Sequence, residues 1–141
     1  MTNPTDPEQQ SKMHLLFIAG SPVFRPVVTR FLGKCDRLNV VDILPTSEKI
    51  LAQAQKLQPQ VILLDLDTSD PSGLETLINL RTLLPEVGII ALSLLDADGY
   101  RQAVLAAGAN DLVLKSNLST DLFPAIHRTT QDGQDGPEPM S

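Results

Sequence analysis

Three polar side chains stand at the ends of apolar runs in this chain. Asp65 follows Val61-Ile62-Leu63-Leu64, Ser93 follows the run from Val87 to Leu92, and Lys115 follows Asp111 to Leu114. Together they offer a carboxylate, a hydroxyl and an ammonium. The acid and the base can pair directly, and the hydroxyl can donate to the acid or to a bound anion. Continuous Val, Ile and Leu runs of this kind suit strands buried on both faces of a parallel sheet. Open sheets of that type bind ligands at their carboxyl edge, where the strand order reverses. All three groups therefore belong to one edge. The first strand ends in Ala19-Gly20 and brings no acid to it.

The elements that must carry these groups alternate between strand and helix. Strands are expected over 15–19, 39–44, 61–64, 88–93 and 111–114. The helix after the first strand has Ser21 as its candidate cap and Pro22 at its first position. Pro26, four residues on, requires a late start or a kink. A Thr46 or Ser47 cap opens a second helix with the apolar stripe Ile50, Leu51, Ala54 and Leu57. Ser72 and Glu75 make a capping-box pattern for a third, which buries Leu74, Leu77, Ile78, Leu80 and Leu84 and stops at Pro85. A fourth spans 96–107 with Gly108 as a left-handed cap, and a fifth runs from a Ser119 or Thr120 cap to about Arg128. Five βα units with short right-handed connections define one α/β domain, a doubly wound (βα)5 flavodoxin-like sandwich with parallel strand order 2-1-3-4-5. Residues 13–130 form this domain. Residues 1–12 read as a disordered leader, and 131–141, with Gly133, Gly136, Pro137 and Pro139, as a flexible polar tail or the start of a linker.

Composition narrows the function. A chain of 141 residues, 42% of them hydrophobic, builds one core without metal or disulfide support. The single cysteine, Cys35, excludes an internal disulfide, and it reads as a bystander near a helix end. A net charge of -6 argues against direct nucleic-acid binding, and the absence of tryptophan removes the strongest stacking platform. No apolar stretch reaches the ~20 residues that a membrane-spanning helix needs. The first ten residues lack the basic-then-apolar order of a signal peptide, so a cytoplasmic location is the expectation.

Four features of the chain resemble those of one family. Asp65-Leu66-Asp67-Thr68-Ser69-Asp70-Pro71-Ser72-Gly73-Leu74-Glu75 resembles the phosphoacceptor loop of the two-component receiver domain. Ser93 resembles that family's Ser/Thr switch residue, and Gly108-Ala109-Asn110-Asp111-Leu112-Val113-Leu114-Lys115 its Gly-Ala motif leading into a lysine. Ser21-Pro22-Val23-Phe24-Arg25 is similar to the segment after the first strand in response regulators that carry helix-turn-helix effectors. The resemblance covers residues 13–128. It implies Asp65 as phosphoacceptor, Ser93 as switch hydroxyl and Lys115 as the partner of the phosphoryl group or the carboxylate.

The pocket departs from that pattern. Receiver domains place two acids after the first strand, and these hold magnesium beside the phosphoacceptor; Ala19 and Gly20 stand here instead. Thr68-Ser69 replaces the usual Met-Pro pair, Leu112 an aromatic switch residue, and Ser116 a proline. Magnesium wants octahedral oxygen coordination and is commonly held by one or two carboxylates with phosphate and water. Asp65 is the only matching ligand, so the metal set is incomplete and Mg2+ binding is expected to be weak. No other cofactor is expected. One carboxylate and one lysine also leave the pocket neutral, with no electrostatic demand for a divalent ion, and phosphoryl transfer without the metal is expected to be slow.

Other candidates carry less. Asp67, Asp70 and Asp96 read as capping or solvated loop acids rather than replacement ligands. His14 and His127 form no constellation, and His127 is favoured by a helix C-terminus. Gly20-Ser21 at a helix start is a weak anion cradle, because Pro22 removes a donor.

The leading expectation is a receiver-type signalling domain of a phosphorelay, without enzymatic activity beyond self-phosphorylation from a phosphodonor. The alternative is a pseudo-receiver acting as a phosphorylation-independent interaction or dimerisation module. A cofactor-binding flavodoxin-like domain is a third reading without a dedicated loop. Partners (a sensor histidine kinase, an effector or a second copy) are expected on the fourth helix, fifth strand and fifth helix, at Tyr100, Arg101, Val104, Leu118 and Leu122, with no membrane contact.

Overall fold

A computed structural model describes residues 12–66, 72–95 and 97–135, with side chains described as far as Thr129. The elements are β1 (Met13–Ala19), α1 (Arg25–Leu32), β2 (Leu38–Pro45), α2 (Ile50–Leu57), β3 (Val61–Asp65), α3 (Ser72–Leu83), β4 (Gly88–Ser93), α4 (Asp98–Ala107), β5 (Asp111–Leu114), a 3₁₀ turn (Lys115–Asn117) and α5 (Leu118–Asp135). The strands form one five-stranded sheet in the order β2-β1-β3-β4-β5, and every neighbouring pair is parallel. This is the doubly wound α/β sandwich expected from the apolar runs.

Side chains alternate across the sheet and build two cores. Leu16, Ile18, Ile62, Leu64, Ile89, Ala91 and Leu112 face α2, α3 and α4 through Ile50, Ala54, Leu77, Leu80 and Val104. Leu15, Phe17, Leu63, Ile90, Leu92 and Val113 face α1 and α5 through Val28, Leu32, Leu118, Leu122, Ala125 and Ile126. β3 is buried over its whole length, as a central strand covered on both faces must be. The β1–β2 register slips once, between Leu15 and Leu16, where Asp42 replaces Val41 as the next partner. The extra residue lets Val41 and Leu44 reach one core while Val40 and Ile43 reach the other.

Several helix expectations are corrected. α1 starts at Arg25 behind Phe24, with Pro26 in its first turn, so Ser21 and Pro22 do not open it. The late start puts the donor that Pro26 lacks among the helix's free N–H groups. α2 begins at Ile50 behind Lys49, and the Ser47 hydroxyl accepts from the Lys49 N–H (3.2 Å) instead of capping the helix. Ile78 is 49% exposed. Leu77 and Leu80 define the buried stripe of α3, and Ile78 sits about 100° around the helix from Leu77. α4 starts at Asp98 behind an extended Ala97, and Asp96 lies outside the described residues. The Lys115–Asn117 turn places Ser119 and Thr120 inside the first turn of α5 rather than at its cap. α5 also runs to Asp135, past the helix end expected at about Arg128; the first proline after this stretch is Pro137.

At the amino edge of the sheet Arg81 joins α3 to the turns around it. Its guanidinium donates to the carbonyls of Gly108 (3.0 Å), Leu84 (3.3 Å), Pro85 (3.0 Å) and Val87 (2.7 Å), and to Asn110 Oδ1 (2.8 Å). Gly108 has φ +127°, and a Cβ there would lie 2.7 Å from Arg81 Cβ, so the position requires glycine twice over.

Candidate functional site

β3 delivers Asp65 to the carboxyl edge beside β1, at the point where the sheet reverses from β1 to β3. β5 ends at Leu114, and the following turn swings Lys115 over the same spot. Lys115 Nζ lies 2.5 Å from Asp65 Oδ1, and both side chains are almost wholly shielded, with 2% and 0% exposure. Oδ2 accepts a hydrogen bond from the Ser21 N–H at 2.9 Å. Oδ1 accepts no well-aligned hydrogen bond, so the ammonium meets it as an ion pair rather than along a hydrogen-bond axis. Each charge is buried at a cost that the other charge chiefly offsets. Asp65 and Lys115, expected together from the sequence, are together.

The β1–α1 turn closes the other side. A Cβ on Gly20 would come within 2.5 Å of the Asp65 carbonyl oxygen, so the turn lies flat on the end of β3 and leaves no room for an acidic side chain. The Ser21 carbonyl accepts from the Arg25 N–H (3.2 Å), and the Phe24 ring between them stacks on Lys115, with Nζ 4.5 Å from its centroid. A cavity of about 40 Å³ remains beside Asp65, lined by Gly20, Thr46, Leu64, Asp65, Ser72, Gly73 and Thr76. That suits one or two solvent-sized groups. A far larger groove, about 1030 Å³, opens at the opposite edge around Arg81 and Asn110. It is remote from Asp65, and its guanidinium is already committed to protein acceptors, so the chemistry belongs to the small site.

Ser93 stands where expected but does not join the pair. Its hydroxyl accepts from the Leu95 N–H (3.0 Å) and hydrogen-bonds Tyr100 of α4. The hydroxyl proton is directed to the Leu95 carbonyl oxygen (3.4 Å) rather than to Asp65. Burial pushes the Tyr100 phenol above its ordinary range, and the Ser93 hydrogen bond partly opposes the rise.

The residues present do not fit magnesium. Ala19 is a buried core residue, Gly20 has no space for a side chain, and Asp65 already holds a cation of the protein's own. Among the described residues no three His, Cys, Asp or Glu side chains gather as metal ligands. Asp67 and Asp70, like Asp96, lie outside the described residues.

Three of the expected partner-face residues are corrected: Val104, Leu118 and Leu122 are buried at 0%, 4% and 0% exposure. They lie on the sheet-facing stripes of α4 and α5, whereas Leu94, Leu95 and Leu105 carry the exposed apolar surface nearby. His127 lies within α5, eight residues before its end at Asp135, so the expected C-terminal dipole does not apply to it. Sequence reasoning missed Phe24 and the Ser21 N–H. The run Ser21-Pro22-Val23-Phe24-Arg25 puts an aromatic four residues after the edge glycine, but nothing in it points to Lys115.

A parallel sheet in this order, with an aspartate at the end of β3 facing a lysine after β5, defines a class. The family model of the response regulator receiver domain matches residues 15–127. The chain belongs to that family, the receiver domains of two-component response regulators. It is 28% identical over 106 residues to a protein-glutamate methylesterase/protein-glutamine glutaminase of Trichodesmium erythraeum, covering 74% of this chain and 30% of that protein. It is 26% identical over 117 residues to the response regulator protein VraR of Staphylococcus aureus, covering 83% of this chain and 56% of that one. The chain thus spans less than two thirds of either relative. In fold it matches the response regulator domain of Thermotoga maritima CheB, with a TM-score of 0.74 at 21% identity, covering 85% and 97% of the two chains. It also matches the isolated receiver domain of Salmonella enterica RcsB, with a TM-score of 0.72 at 23% identity, covering 82% and 86%. Among the described residues no helix is long and apolar enough to cross a membrane.

Proposed function

We propose that the chain works as a receiver module whose acceptor is Asp65 and whose resting charge is balanced by Lys115 instead of a metal ion. The observation that carries this reading is the shielded Asp65–Lys115 pair beneath a glycine with no room for an acid. A phosphoryl donor must displace Lys115 from Oδ1 or use Oδ2, now held by the Ser21 N–H. Lys115 then neutralises charge on the phosphoryl oxygens, a task for which electrostatic stabilisation is the main contribution. Transfer is slow and nearly independent of magnesium. Incubation with acetyl phosphate, with and without magnesium, tests it by intact mass. The expected result is partial gain of one phosphoryl group, equal in both conditions and abolished in Asp65→Ala.

A second reading is favoured by the same burial. With both carboxylate oxygens answered by protein groups, the domain rests in one state and binds partners without phosphorylation. A partner such as a kinase, an effector or a second copy would use the exposed Leu94, Leu95 and Leu105 region. Mass unchanged under every donor, with partner binding intact in Asp65→Ala, selects this reading. On either reading the domain itself carries no enzymatic activity toward other substrates and works in the cytoplasm.

A further inference from the structure

The β1–α1 turn makes three contacts with the site within five residues. Gly20 rests on the Asp65 carbonyl, the Ser21 N–H holds Oδ2, and the Phe24 ring covers the ammonium that holds Oδ1. The backbone bond from Arg25 N–H to the Ser21 carbonyl closes the turn, so the ring and the carboxylate contact belong to one closed loop. Phe24 is half-buried and packs on the α1/α5 core, which fixes the ring from behind.

We propose that Phe24 is a positioning residue for Lys115: its ring face holds the ammonium over Asp65, so the turn supplies the site's cation anchor. The physical need is specific. A lysine ammonium is a compact charge on four flexible carbons, and one carboxylate oxygen without an aligned hydrogen bond does not fix its direction. An aromatic face attracts the cation through its quadrupole without adding formal charge. A second carboxylate in that place would make the pocket negative again; a ring leaves it neutral. Phe31 and Lys34 form a looser pair in the same protein, 5.2 Å apart with Lys34 exposed, where the same attraction is screened by water.

This proposal concerns the resting pair and stands whether or not Asp65 accepts a phosphoryl group, so its test uses no phosphodonor. The full chain is prepared with phenylalanine, mono-, di- and trifluorophenylalanine at position 24, and the rate of Lys115 modification by an amine-reactive reagent is read by peptide mass spectrometry. Fluorine withdraws electron density from the ring face while nearly preserving its shape, so the variants keep the packing. Lys115 modification is expected to accelerate stepwise with each fluorine, while Lys34 stays constant. Phe24→Leu should reach roughly five- to thirtyfold, the range of cation–π strength between exposed and desolvated sites, and Phe24→Trp should protect Lys115 at least as well as phenylalanine. A flat response across the fluorinated series overturns the proposal, even if Phe24→Leu accelerates modification, because the ring then only fills space. If Phe24→Leu unfolds, the fluorinated series decides alone.

Discussion

At the carboxyl edge of the sheet, Lys115 faces one carboxylate oxygen and one aromatic ring; at the amino edge, Arg81 donates to four backbone carbonyls and one side-chain amide. The two cations are not interchangeable. Arg81 offers a planar fork whose donors all find neutral acceptors, and it fixes the backbone around it. Lys115 offers a point charge opposite a single acid, and each is the other's only charged partner among the described residues. One edge is held by a fork of hydrogen bonds to neutral acceptors and the other by a single shielded ion pair.

The comparison breaks most sharply at Lys115. Lys115→Met leaves the Asp65 carboxylate buried and unpaired, and it should cost about 3–5 kcal/mol by chemical denaturation. Combining it with Asp65→Leu should restore most of that loss, because no charge then remains in the cavity. If Lys115→Met alone is neutral, the pair is not shielded as described. At the other edge Arg81→Leu should cost about 2–4 kcal/mol through orphaned carbonyls. Arg81→Lys should recover less than half of that, since an ammonium does not span the acceptors.

Restoring the family's missing acid sharpens the account further. Gly20→Asp forces a Cβ to within 2.5 Å of the Asp65 carbonyl oxygen, so it should lose about 1–3 kcal/mol and gain no tight magnesium site. A stable variant that binds the ion would show that the turn yields easily.

The smallest effect concerns Tyr100, the chain's one tyrosine in a protein without tryptophan, so tyrosinate absorbance reports it alone. Burial raises its pKa in the folded state above the unfolded value near 10. The folded protein therefore holds this proton more tightly. The associated stability is fully present below the unfolded value and is lost as pH rises through the folded one. The titration midpoint should lie above that of the denatured chain, and Ser93→Ala should raise it further by removing the opposing hydrogen bond. A midpoint lowered by Ser93→Ala would contradict the contact.

The sheet was legible because buried parallel strands leave uninterrupted Val, Ile and Leu runs, and Asp65 and Lys115 were legible as the groups that end two of them. The absence of an acid at Gly20 was equally plain. Less was visible where tertiary placement overrides local signals. Ser21 and Pro22 carry good helix-start chemistry, yet the chain uses them to cross the end of β3. Ile78 is as apolar as Leu77, and only its angle around α3 separates them. Ser93 sits at the expected strand end, but its hydroxyl is taken by the Leu95 N–H, a contact no strand pattern encodes. Phe24 was invisible as a site residue because nothing local links it to a lysine ninety-one positions later.

Magnesium titration of the unmodified protein, followed through the backbone amides of Gly20, Ser21 and Asp65 and the Lys115 ammonium, tests the central claim most directly. The account predicts shifts no larger than ionic strength produces, with the Lys115–Asp65 contact retained throughout. Saturable shifts confined to those residues, with the ammonium released from Asp65, would contradict it.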